Sequence, residues 1–241
     1  NKYFIKTKEK LKILKNSLHP DDLNEIYINL TNYCNRCIVS GKKEFIKEKF
    51  DIYKEESESK AYLLNGFVTP VYYKNRIRLG LDLKEFVWVR EFIENFKDKL
   101  HPDSKNNVYL YNLALYEFEV NNFNYSLELL SKISLDELYM KFDVKVLQIM
   151  IYYETNSIEA LISSMEAFRH FLVNNKLLPE NKKETYTNFH KYLNKLILLN
   201  NKKDLNELER MISVISGDIK ILNKEWIIKK MNVLLKIKFP V

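Results

Sequence analysis

Glycine and proline are scarce in this chain, which has 4 Gly and 5 Pro among its 241 residues. A β-sandwich or barrel needs turn residues between many short strands, so this scarcity disfavours both folds. Hydrophobic residues make up 46% of the chain and charged residues 29%, a balance that is too apolar for a disordered protein. The composition therefore predicts long helices in a chain that can bury a sizeable core.

Hydrophobic residues recur at helical spacing along nearly the whole chain. Phe4, Leu11, Leu14 and Leu18, for example, mark one apolar stripe between lysines. The same periodicity, broken at Gly, Pro and Asn, predicts an all-α fold of about twelve helices. Their expected positions are 4–18, 20–40, 42–62, 70–83, 84–100, 105–121, 123–133, 136–155, 157–174, 181–200, 203–216 and 224–236.

Two kinds of internal repeat occur in the sequence. The first is a turn-forming segment before an apolar helix, Leu18-His19-Pro20-Asp21, which reappears as Leu100-His101-Pro102-Asp103. The second is a tight turn followed by two apolar residues four positions apart. The turns at Gly41, Lys84, Asn121 and Asn156 are spaced 43, 37 and 35 residues apart. Repeats of this length are typical of stacked helix pairs.

The later repeats resemble the tetratricopeptide pattern, which runs Leu-Gly, a Gly-Asp-Tyr-like turn, a small residue and an aromatic residue. The matching positions are Leu113-Ala114, Asn121-Asn122-Phe123, Ser126 and Leu130, then Tyr152, Asn156-Ser157-Ile158, Leu161 and Met165. The resemblance covers residues 20–175, with looser helix pairs at 1–19 and 176–241, and no intact Gly-Asp is present. It implies a single repeat domain over residues 1–241, with antiparallel helix pairs stacked in a right-handed superhelix.

The same resemblance implies a concave surface lined by the first helix of each pair, where a peptide or a helix of another protein would bind. The lysines, asparagines and arginines that clamp a carboxylate in some family members cannot be assembled here. Phe118 and Tyr153 have an alternative interpretation as core residues beneath neighbouring pairs. The residues that the repeat positions assign to this surface are Lys74, Arg78, Tyr111, Leu115, Phe118, Tyr153 and Glu154.

Candidate chemistry is sparse. Cys34 and Cys37 could form half of a zinc site or a redox pair, but there is no second cysteine pair, so we interpret them as small core residues. His19 and His101 precede prolines, where a ring that caps or covers a helix start is the plain interpretation. We find no nucleotide-binding loop, nucleophile elbow or metal-ligand cluster, and we predict no catalytic residue, metal or cofactor.

The leading hypothesis is a protein–protein interaction or scaffold module, forming the C-terminal part of a larger protein. An RNA-binding helical repeat protein is an alternative, and a regulatory helical domain of a multi-domain enzyme is another. The charge is uneven: residues 1–102 carry 20 Lys/Arg and 15 Asp/Glu, residues 103–170 carry 5 and 10, and residues 171–241 carry 14 and 7. This is no continuous basic stripe, so a protein partner is favoured over nucleic acid.

Location is constrained only weakly by the sequence. No run approaches the roughly 18 consecutive apolar residues of a membrane span. Two cysteines three positions apart are not a disulfide framework, which makes a cytoplasmic protein the default expectation. The chain begins at Asn1 and not at methionine, so we expect a processed product or a fragment from which an N-terminal signal would be missing.

Overall fold

Twelve α-helices follow one another in a computed structural model of the chain, which describes residues 2–59, 63, 66–201, 204–217 and 220–238. No β-strand occurs in these residues, and Val68 and Leu100 form an isolated parallel bridge. The predicted all-helical class and number of helices are confirmed for this part of the chain. The helices are α1 (Lys2–Leu14), α2 (Pro20–Val39), α3 (Glu44–Glu58), α4 (Pro70–Asp82), α5 (Phe86–Phe96), α6 (Pro102–Glu119), α7 (Phe123–Ser131), α8 (Leu138–Glu154), α9 (Ile158–Asn174), α10 (Glu180–Asn201), α11 (Leu205–Ser216) and α12 (Lys224–Lys238).

The chain divides into two compact units, Asn1–Leu147 and Gln148–Val241. In the first unit consecutive helices pack as pairs, α2 on α3, α4 on α5 and α6 on α7. Neighbouring pairs also touch, because α3 packs on α4 and α6 packs on both α4 and α5. In the second unit α9 packs on α10 and α11 on α12, and α10 also contacts α12. Each unit therefore builds its core from sequential helices.

The four repeated turns share one backbone conformation. Gly41, Lys84, Asn121 and Asn156 all have positive φ, at 88°, 60°, 63° and 53°. In each turn this residue donates its N–H to the carbonyl three residues earlier, and the next residue donates to the carbonyl five residues earlier. This is the Schellman pattern, which satisfies carbonyls left open at a helix end. The repeat read from the sequence is therefore a repeat of local structure at these four turns.

The two His-Pro-Asp segments also fold alike. His19 precedes α2 and His101 precedes α6, with a proline at the first helical position in both. The Nδ1 atoms accept hydrogen bonds from the backbone N–H groups of Asp21, at 3.4 Å, and Asp103, at 3.3 Å. Both histidines are helix caps, as the sequence predicted. Each satisfies one of the donors that a helix start leaves without an intrahelical partner.

Aromatic side chains join α3, α4 and α5 in the core of the first unit. The Trp88 ring lies 4.9 Å from Phe50 and 5.0 Å from Phe92, measured between centroids. Tyr73 is fully buried and donates its hydroxyl hydrogen to the Ile93 carbonyl at 2.9 Å. The bonded hydroxyl removes the cost of burying a polar group, so this phenol can lie in the core. These contacts fix α4, which contributes to both clefts of the candidate site.

Candidate functional site

A cleft of about 460 Å³ lies between α2 and α4 in the first unit. The α2 residues that line it recur three or four positions apart and so occupy one face of that helix. Its wall is rich in side-chain amides and hydroxyls. The lining residues are Asn24, Ile28, Thr31, Asn32, Asn35, Tyr53, Glu56, Thr69, Val71, Tyr72, Asn75 and Arg76.

A second cleft, of about 210 Å³, lies where α4, α6 and the start of α8 meet. Val71 lines both clefts, so they adjoin along α4. We call the two together the first-helix groove, because α2, α4 and α6 are each the first helix of a packed pair. The second cleft is lined by Pro70, Val71, Lys74, Ser104, Val108, Tyr111, Asn112, Glu137, Tyr139, Met140 and Asp143.

A buried ion pair forms part of the first cleft. Arg76 and Glu56 are 5% and 4% exposed, and the guanidinium Nη2 donates to the Glu56 carboxylate. The same guanidinium lies over the rings of Tyr72 and Tyr53. Its Nε atom is buried and has no hydrogen-bond partner among the described residues. A buried donor without a partner is costly, so this atom is an unfavourable point in the packing behind the cleft.

The second cleft also has a buried polar atom without a partner among the residues described, an acceptor on the side chain of Asn112. The side chain is 2% exposed, and its Nδ2 donates to the Val108 carbonyl at 2.7 Å. That bond fixes the orientation of the amide, because the opposite orientation would place two acceptors together. The Oδ1 atom is buried and has no partner within the described part of the chain. Each cleft thus has, behind its wall, one buried polar atom without a partner in the described ranges.

The edges of the groove are apolar. Val71 is 68% exposed, Tyr139 50% and Ile28 48%. Charges around them are largely balanced, because Lys74 pairs with Asp143 at 2.5 Å and Arg76 pairs with Glu56. Exposed apolar side chains beside accessible amides and hydroxyls are typical of a binding surface, where the apolar groups supply contact area and the polar groups supply orientation.

Five of the seven residues that the sequence assigned to this surface lie in the first unit, and two of the five line the groove. Lys74 and Tyr111 line the second cleft, with the Lys74 Nζ 5.4 Å from the Tyr111 ring centroid. Arg78 lies one turn further along α4 and pairs with Asp82 at 3.5 Å. Leu115 and Phe118 are each 4% exposed and belong to the core, so neither is available to a ligand. For Phe118 this is the alternative that the sequence left open.

Tyr153 and Glu154 lie in the second unit and face α12. Glu154 accepts hydrogen bonds from the Trp226 Nε1, at 2.7 Å, and from the Lys230 ammonium. The Tyr153 ring packs edge-on against Trp226, and burial raises the pKa of its hydroxyl to about 12. Glu154 is therefore engaged within its own unit, and we do not include these two residues in the first-helix groove.

The two cysteines are buried in α2 and unpaired with each other. Cys34 is fully buried, and this burial raises the pKa of its thiol to about 11. Among the described residues no group of three or more His, Cys, Asp or Glu side chains could hold a metal ion. In the same residues no helix combines the length and the apolarity needed to cross a bilayer. The structure thus places Cys34 and Cys37 in the hydrophobic core of the first unit, as the sequence predicted.

Sequence reasoning missed the asparagines and Arg76. Asn24, Asn32 and Asn35 share one face of α2, and this spacing was a detectable signal. Arg76 gave no such signal, because most arginines are exposed and only tertiary packing buries this one.

Comparison of the chain with models of protein families, with curated proteins and with solved structures found no match.

Proposed function

We propose that this chain is a tetratricopeptide-like interaction module and that its first-helix groove binds an extended segment of another protein. The observation that carries the proposal is the accessible wall of the groove, where the side-chain amides of Asn24, Asn32 and Asn35 can each donate and accept hydrogen bonds close to the exposed Val71. An extended backbone presents both N–H and C=O groups outward. A helical ligand has already used most of its own, so an extended segment fits better.

The repeat geometry supports the same proposal. Four turns share one backbone conformation, and three of them join helices that pack as pairs, as expected of a right-handed array of helix pairs. In such an array the first helices line the inner surface, and most residues of the groove lie on α2, α4 and α6, with Tyr53 and Glu56 contributed by α3. The two lining ion pairs are balanced, which supports a partner with apolar side chains over a polyanion such as RNA.

Val71→Glu is expected to weaken binding by about tenfold or more, because this exposed residue lines both clefts and a charge there opposes apolar contact. The ligands are peptides enriched on the wild-type chain from a random-peptide display library, with affinity measured by fluorescence anisotropy. Val87→Glu is the matched control. Val87 is 76% exposed on α5, a second helix, and its variant should bind as the wild type does.

Salt dependence distinguishes the RNA alternative. Binding in the groove should change little between about 50 and 200 mM salt, whereas contacts with phosphates would lose affinity steeply because counterions are released. If Val71→Glu and Val87→Glu bind the selected peptides equally well, the groove is not the binding surface. If no peptide is enriched while an RNA homopolymer binds with a steep salt dependence, the proposal that the groove binds a protein segment is wrong.

A further inference from the structure

The first helix, α1, exposes apolar residues outside its contact with the core. Phe4 and Leu11 are its buried residues. Tyr3 is 86% exposed, Ile13 81% and Leu14 46%. At 100° per residue these three positions fall within one sector of about 100°, which runs from the flank of the helix at Leu14 to the side opposite the core at Ile13. A helix covering a core is ordinarily polar on that side, so this apolar exposure indicates a second contact surface.

The same sector carries a row of three lysines, with the exposed Glu9 at its edge. Lys2, Lys6 and Lys10 are exposed and four residues apart, so their ammonium groups lie along one line of the helix. None of the three has an ion-pair partner among the described residues, whereas Lys8, on the inner side, pairs with Glu48. Like charges four apart repel each other, and an external anion would relieve this repulsion.

Lysines interleaved with large apolar side chains match the chemistry of a phospholipid headgroup region. Lys side chains can extend to phosphates while the apolar side chains insert beside them, and tyrosine is favoured at this depth. Nucleic acid would use the lysines but gain little from Ile13 and Leu14. A second copy of α1 would bring lysines against lysines.

We propose that the outer face of α1, formed by Lys2, Tyr3, Lys6, Lys10, Ile13 and Leu14, binds the surface of a bilayer that contains anionic phospholipid. The attachment is peripheral, since α1 has only 13 residues and its other side is packed in the core. This inference does not depend on the first-helix groove, because none of these six residues lines either cleft.

Sedimentation with phosphatidylcholine vesicles, with and without phosphatidylserine, tests the proposal. The wild type should bind only when phosphatidylserine is present. Replacing Lys2, Lys6 and Lys10 together by Gln should weaken binding by about 100-fold, since each lysine near such a surface contributes about fivefold. Tyr3→Ser with Ile13→Ser should weaken it by roughly tenfold without altering the charge.

The control replaces three exposed lysines elsewhere, Lys42, Lys176 and Lys182, by Gln. It changes the net charge by the same amount and should leave vesicle binding nearly unchanged; circular dichroism checks that all variants are folded. An equal loss of vesicle binding in the control would show that only the overall charge matters, and it would overturn the proposal. Failure of the wild type to bind vesicles would also overturn the proposal. A third contradicting result is binding that depends on the lysines, is abolished by double-stranded nucleic acid and is unaffected by the Tyr3 and Ile13 changes.

Discussion

Glu56→Ala should lower the free energy of unfolding by about 3–5 kcal/mol, the cost of leaving one member of a buried ion pair without its partner. Arg76 is 5% exposed, so its guanidinium could not regain water without rearranging α4. Burial raises the pKa of the Glu56 carboxyl despite the nearby Arg76 charge. For the Glu56 carboxyl, the loss of hydration therefore outweighs the attraction to Arg76. We expect the ion pair to specify how α3 and α4 are arranged more than it stabilises the fold.

The double variant Glu56→Leu with Arg76→Met provides the control. Replacing both charges by apolar side chains of similar size should restore most of the lost stability, because no unpaired charge remains. Urea denaturation of the wild type, Glu56→Leu, Arg76→Met and the double variant gives the coupling energy. A loss below about 1 kcal/mol in Glu56→Ala would mean that the pair is solvated, as surface ion pairs are.

Gly80→Ala should destabilise the protein by about 1–3 kcal/mol, although alanine is the better helix former by about 1 kcal/mol. Gly80 lies within α4 where α3 and α5 approach closely. A Cβ there would lie under 3.0 Å from Val89 Cγ2 and 3.3 Å from Phe50 Cε2. Both neighbours are fully buried, so they have little room to move.

A mutant cycle with Val89→Ala isolates the steric cause. Removing Cγ2 from Val89 should cost less in the Gly80→Ala background than in the wild type, because the added methyl group then occupies the vacated space. Thermal and urea unfolding measure all four proteins. A stability gain in Gly80→Ala alone would contradict the close packing of α4 on α5.

Much of the fold follows from local sequence signals. Gly41 and Asn121 are residue types that tolerate positive φ, and both mark turns that the sequence placed correctly. The boundary between the two compact units follows from no such signal. It falls between Leu147 and Gln148, inside α8, where no proline, glycine or polar linker marks it. Long-range contacts, which a single sequence does not reveal, decide where the units separate.

The candidate site was only partly predictable for a related reason. Helix α6 touches α4, α5 and α7, so apolar residues occupy most of its circumference, and its open face cannot be read from periodicity. Leu115 and Phe118 were assigned to the groove and are core residues. Tyr111 lines the groove but is only 8% exposed, so truncating it would create a cavity and confuse a binding assay.

Binding of a partner segment in the first-helix groove is the central element of the proposed function. Photo-cross-linking tests it directly, with benzoylphenylalanine placed at position 71 in one protein and at position 87 in another. A display-selected peptide should cross-link from position 71, which lines both clefts, and not from position 87 on α5. Cross-linking from position 87 with none from position 71 would contradict the groove as the binding surface.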